Sequence, residues 1–157
     1  MDHGLQEIRW IGSRTVPGTG DFAPICISEG ALGNTRKMRV SPNHRMLISD
    51  YRVELLFGQE QVLIAAKELV NGDTIYRDPK ESVRYMHLLF DQNEMIFAED
   101  IPSESFLPST QSLSGQDAQS QQEILELFPE LEHNSFAFQT ARPALRSFEA
   151  ANLLSLG

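Results

Sequence analysis

Apolar and polar residues alternate over short runs through the first two thirds of the chain, and turn-forming residues interrupt every run. That pattern predicts antiparallel strands rather than helices. Ile8 and Trp10 face one way in the first run. The Pro17-Gly18-Thr19-Gly20 turn leads to a second run, in which Ile25 and Ile27 flank Cys26, and Met38 and Val40 continue the alternation. Residues 45–49 and 52–57 read as two further strands separated by Asp50-Tyr51, with Phe57-Gly58-Gln59-Glu60 as a tight hairpin turn into a strand over 61–65. A turn of helix over 65–69 precedes Asn71-Gly72-Asp73, a strong turn signal, and a strand over 74–76 follows. The longest strand, residues 83–90, is apolar on both faces, which places it inside a folded-over sheet; Asp91-Gln92-Asn93 turns it into a strand over 94–98.

Helical spacing is confined to the remainder. Ile124, Leu127, Phe128 and Leu131 fall at i, i+3, i+4 and i+7, with Pro129 ending that helix early. A second helix is expected to start at Thr140 as cap, with Pro143 in its first turn and Leu145, Phe148 and Ala151 facing inward. Residues 108–122, rich in Ser and Gln, read as a flexible surface segment. The expected organisation is a β core over 1–107, the polar segment 108–122, and a helical extension over 123–157 packed on the core, since so short a piece buries little alone. The fold class is therefore mainly β with C-terminal α-helices.

The chain has 157 residues, a single Cys and four His, so neither a disulfide scaffold nor a structural zinc module can be drawn from it. With 22 acidic against 13 basic side chains, its net charge of −9 opposes binding to nucleic acid. It contains no apolar run long enough to span a membrane, and Met1-Asp2-His3-Gly4 lacks the basic start of a secretory signal.

One segment carries candidate chemistry. In Val40-Ser41-Pro42-Asn43-His44-Arg45-Met46-Leu47 a hydroxyl and an imidazole lie three residues apart on a turn entering an apolar strand. A His near its ordinary pKa of about 6.5 can give a proton to a departing amine while the hydroxyl orients a scissile amide. The competing reading is a turn in which Ser41 bonds nearby backbone. His87, likewise, reads on its own as a core histidine bonded to backbone. His3 and His133 fall in loops and are expected to be solvated. Cys26, mid-strand between two isoleucines, reads as a small buried hydrophobe. A zinc site would need His44, His87 and Cys26 to converge, which their spacing does not predict, and no acidic cluster has the spacing of a calcium loop. No cofactor and no metal are expected.

In context these residues resemble the Hint (hedgehog/intein) autoprocessing domains, in particular their bacterial branch. The resemblance is carried, in order, by Asp2-His3-Gly4 with Ile8-Arg9-Trp10-Ile11-Gly12, by Gly30-Ala31-Leu32-Gly33-Asn34, by Ser41-Pro42-Asn43-His44, and by Leu69-Val70-Asn71-Gly72-Asp73-Thr74-Ile75. The segment from Tyr85 to Ala98, continuing to Ser103-Glu104-Ser105-Phe106, completes it. It implies a folded-over fold of short antiparallel strands. It also implies roles: Ser41 orienting the scissile peptide, His44 protonating its nitrogen, and His87 assisting proton transfer.

Two departures shape the functional expectation. Hint chemistry uses a Cys or Ser at the first residue of the domain, where it attacks the preceding carbonyl to form an ester or thioester. No such residue opens this chain, which is expected to begin inside the family pattern. The stretch Phe97-Ala98-Glu99-Asp100-Ile101-Pro102-Ser103 lacks the Asn with which inteins cut their C-terminal bond, so splicing is not expected. The resemblance thus implies a self-cleaving domain, truncated or inactive in this form, whose substrate is its own upstream polypeptide; family members often sit on exported proteins, and the sequence itself leaves localisation open. The alternative is a non-catalytic protein-binding module on the same fold, and a third reading is a free-standing hydrolase using Cys26 with a histidine. Truncation would leave an unpaired strand edge and favour a homodimer through it.

Overall fold

The computed structural model describes residues 3–106, residue 125 and residues 140–155. Among them the fold is mainly β, with nine strands and two helices. Strands β1 (Trp10–Gly18) and β7 (Lys80–Leu89) form a two-stranded ribbon. In a second sheet β2 (Ile25–Ile27) lies between β3 (Met38–Val40) and β6 (Ile75–Arg77). The third runs β5 (Val62–Ala65), β4 (Arg45–Ile48), β9 (Ile101–Glu104), β8 (Met95–Ala98), and these strands all pair antiparallel. Helix α1 (Tyr51–Phe57) joins β4 to β5, and α2 (Ser147–Ser155) lies near the C-terminus. The core lies where the second and third sheets meet: Ile25, Ile27, Met46, Val53, Val62 and Ile64 are fully buried, joined by Ala150 and Leu153 of α2. None of the helices described is long and apolar enough to cross a membrane.

Residues 52–57, expected as a strand, are helical because local capping outweighs their alternation. Asp50 accepts the Arg52 backbone N–H at 2.8 Å and holds the Arg52 guanidinium, satisfying one of the free donors of the first turn. Gly58 closes the helix in the left-handed region at φ 63°, its N–H on Glu54 O at 2.9 Å. The segment over 57–60 is therefore a helix end rather than a hairpin. β5 pairs with β4 itself, from Arg45 opposite Ala65 to Ile48 opposite Val62.

The ribbon departs from expectation in two ways. β1 runs through Pro17 to Gly18, and the proline sits where the register shifts between Val16 and Gly18, so that its missing N–H interrupts no regular ladder. β7 is not an inner strand: Met86 is 66% exposed, and the buried end of the strand is Leu89. β7 also does not fold back on β8. β8 pairs with β9 through a two-residue turn in which Glu99 and Asp100 both adopt positive φ, 51° and 66°. Glu99 is costly there, and its carboxylate is gripped by Arg36 at 2.7 and 3.1 Å.

The C-terminal helix begins later than the pattern suggests. Residues 143–145 instead extend β5's edge, Leu63 exchanging backbone hydrogen bonds with Pro143 O at 2.8 Å and Leu145 N at 2.9 Å. The helix then turns Ala150 and Leu153 inward, while Phe148 is 60% exposed and Ala151 lies in solvent. The helix expected over 124–131, apart from residue 125, and the polar segment 108–122 lie outside the described residues.

Candidate active site

The Ser41–His44 segment forms a β-turn with Pro42 at its second position: His44 N donates to Ser41 O at 3.0 Å. It is fastened from outside, since Lys67 N donates to Pro42 O and Ala66 N to His44 O, both at 2.9 Å. The 3-10 helix Ala66–Leu69 thus backs the turn, and β4 continues from it into the core with Met46 fully buried. A proline-fixed turn with two external ties holds the hydroxyl and the imidazole without a further brace. Among the described residues no hydrogen bond engages the Ser41 hydroxyl, so the reading in which it bonds nearby backbone is not what the fold shows.

His87 arrives from the ribbon. It lies opposite Gly12, and its ring meets that of Phe106 at 4.8 Å between centroids, tilted by 53°. Phe106 in turn lies 6.3 Å from the Trp10 ring. Trp10 and Gly12 are two apart on β1 and so share a face. Phe106 is tied to β7 by its N–H on Leu88 O at 3.0 Å. No described residue hydrogen-bonds to the His87 ring; it is an aromatic-packed, half-buried imidazole rather than a backbone-satisfied one.

His44 lies within electrostatic reach of His87. Burial, and after it the neighbouring His87, hold the His44 imidazole at about 4, below its ordinary value. His87 is also lowered, by burial first and then by the positive Arg14. Both rings are therefore neutral at neutral pH. A neutral imidazole can accept a proton and afterwards give it away.

A buried carboxyl adjoins this turn. The register that sets Met46 opposite Ser103 sets Arg45 opposite Glu104, and Arg45 Nη1 donates to Glu104 Oε2 at 3.1 Å. Glu104 is 5% exposed, and its Oε1, like Ser103 Oγ, is buried without a partner among the described residues. Burial raises the Glu104 carboxyl, against the pull of Arg45. Glu104 stands in the quoted Ser103-Glu104-Ser105-Phe106 segment, where strand alternation could have paired it with Arg45. Trp10, Gly12 and Phe106 stand in segments that carry the resemblance, but nothing in their spacing assigned them to the surroundings of His87.

Other sequence candidates lie elsewhere. Cys26 is fully buried in β2 between β3 and β6, where it cannot serve as an accessible nucleophile beside His44. Among the described residues no three His, Cys, Asp or Glu side chains converge as a metal site. Asn34 is structural: its amide donates to Ser28 O and Arg36 O at 2.9 and 2.8 Å and accepts from Leu32 N at 3.1 Å. Asn71 does the same for its loop, Oδ1 accepting from Asp73 N and Ile75 N at 3.0 and 2.9 Å. His3 is not simply solvated, since its ring meets Glu94.

Compared with known families, residues 1–110 match the model of the Hint domain. No curated protein and no solved structure matches the chain.

Proposed function

The chain belongs to the Hint domain family, and from that premise we propose that it is a self-cleaving domain that acts on its own upstream polypeptide through an N-terminal ester or thioester. The observation that carries the proposal is the fixed Ser41–His44 turn, its hydroxyl unengaged among the described residues and its imidazole kept neutral beside a second imidazole. In this reading a Cys or Ser preceding this sequence is the nucleophile.

The roles follow from the protonation states. Neutral His44 takes the proton from the nucleophile's thiol or hydroxyl as its sulfur or oxygen attacks the preceding carbonyl carbon. The new bond to that carbon forms, the carbon–nitrogen bond breaks, and the same proton passes to the departing nitrogen. Ser41 Oγ orients the scissile peptide. His87, neutral and packed on Phe106, assists the proton transfer. An ester or thioester formed this way is then open to water or an added nucleophile. Because the scissile bond belongs to the same chain, proximity supplies much of the rate.

The test restores the upstream coding sequence and follows the product by intact mass, with and without dithiothreitol. A cut beside an upstream Cys or Ser, lost in His44→Ala, is expected; for a Cys, dithiothreitol accelerates it. A stable uncut product overturns the reading. It would favour a protein-binding module, for which Tyr51 and Leu55, 75% and 74% exposed on α1, offer apolar surface.

A further inference from the structure

We infer that Ser147 and Leu153 of helix α2, which lies outside the matched residues 1–110, are positioning residues of the candidate site: acting through the 3-10 helix Ala66–Leu69, they fix the Ser41–His44 turn, which keeps its geometry only while α2 is docked. As control over the proposed activity the inference rests on the self-cleaving reading above. Its test reads the turn itself, so the two stand or fall separately.

The contacts from α2 to the turn are continuous. α2 packs directly on the 3-10 helix, and its Ala150 and Leu153 are buried in one core cluster with Ala66 and Leu69. At the surface, Ser147 Oγ in the first turn of α2 donates to Glu68 Oε1 at 2.8 Å. The same 3-10 helix supplies both external ties of the turn, Ala66 N on His44 O and Lys67 N on Pro42 O. One four-residue element is thus held by α2 and holds the turn.

That element has little to hold it otherwise. A 3-10 helix has poorer hydrogen-bond geometry than an α-helix, and Ala65 at its start provides no side-chain cap. The approach to α2 is anchored beside it. Pro143 O and Leu145 N bond to Leu63, three residues before Ala66, and Ala141 N donates to Asn93 Oδ1 at 2.9 Å. α2 itself is nine residues long, too short to persist alone, so it is helical because it is docked. An element that buries only Ala150 and Leu153 opens more readily than the strands beneath it. The turn is therefore coupled to the most easily released part of its own support.

The experiment uses the chain as it is, isotopically labelled for NMR, and compares the parent with Leu153→Ala and Ser147→Ala. Hydrogen exchange is read at the Ala66 and Lys67 amides, with the β1–β7 ribbon and the β8–β9 pair as internal references, and the His44 ring is titrated. Leu153→Ala is expected to speed exchange at the two amides about tenfold relative to the references. It should also move the His44 midpoint from about 4 toward 6.5, as water reaches the ring. Ser147 is exposed, so Ser147→Ala folds even if Leu153→Ala does not. It is expected to speed the same two amides about threefold, the loss of one hydrogen bond, and Ser147→Thr, which returns the hydroxyl, to reverse the change. Exchange that rises equally at the references, amides that do not respond, or a His44 midpoint that stays in place in a folded Leu153→Ala protein overturns the inference. The self-cleaving reading is untouched by any of these results.

Discussion

The Trp10 indole lies across Gly12, in the space a side chain there would fill: a β-carbon built on Gly12 would sit 1.8 Å from Trp10 Cη2 and 2.2 Å from Cζ2. Glycine is required here for the close approach of a ring. The ring in turn shields the strand beside His87, which pairs with Gly12. Gly12→Ala is expected to expel the indole from its nearly buried position and to cost about 1–3 kcal/mol, as overpacking does. Trp10 is the single tryptophan, so a red shift of its emission reports the displacement directly.

The depressed His44 value predicts an acid-sensitive fold. The unfolded chain takes up a proton near pH 6.5 and the folded chain only near 4, so the contribution is complete above about pH 6.5 and is lost as pH falls toward 4. Since His44 is only partly buried, the loss is about 1–3 kcal/mol. Urea midpoints at pH 7 and pH 4.5 should differ by correspondingly less in His44→Gln than in the parent. Equal differences in the two proteins would refute the assignment.

Glu104 behaves with the opposite sign. Its folded value is raised, so folding is favoured by its protonated form and stability is lost as pH rises through that value. Arg45 limits the loss. Arg45→Met is therefore expected to destabilise by about 2–3 kcal/mol near neutral pH, less than a fully buried pair because Arg45 is a third exposed, and by less near pH 4. Adding Glu104→Gln should remove the extra pH dependence, as thermal unfolding across that range would reveal.

Helix α1 rests on its two ends. Asp50→Ala is expected to cost about 0.5–2 kcal/mol through loss of the cap. Gly58→Ala is expected to cost about 1 kcal/mol, because alanine resists the left-handed conformation found there. Denaturant midpoints measure both.

Most of the strand set was legible because alternation is a direct image of one buried face: β2, β3, β4 and β5 stand where the pattern put them, within a residue or two. Alternation failed for residues 52–57, where Leu55 and Leu56 are exposed and Asp50 and Gly58 decide the conformation. It failed again for β7, whose apolar residues Val83, Tyr85 and Met86 belong to a ribbon with β1 as its one paired strand among the described residues. Pairing partners are not encoded in a strand's own composition, so β8 with β9, rather than with β7, could not be read locally. At the site the Ser41–His44 spacing was visible, since both residues lie on one turn. The effect of His87 on His44 was not, because 43 positions separate them and they stand on different elements.

The sealing of Cys26 inside β2 gives the folded chain a silent thiol background. The only sulfhydryl in the sequence is withdrawn from solvent, so a thiol-reactive dye or an alkylating reagent added under native conditions has nothing on this chain to label. Where an upstream nucleophile is a Cys, labelling reads that thiol against this silent background: it is lost as the thioester forms and returns when water or an added thiol resolves the thioester.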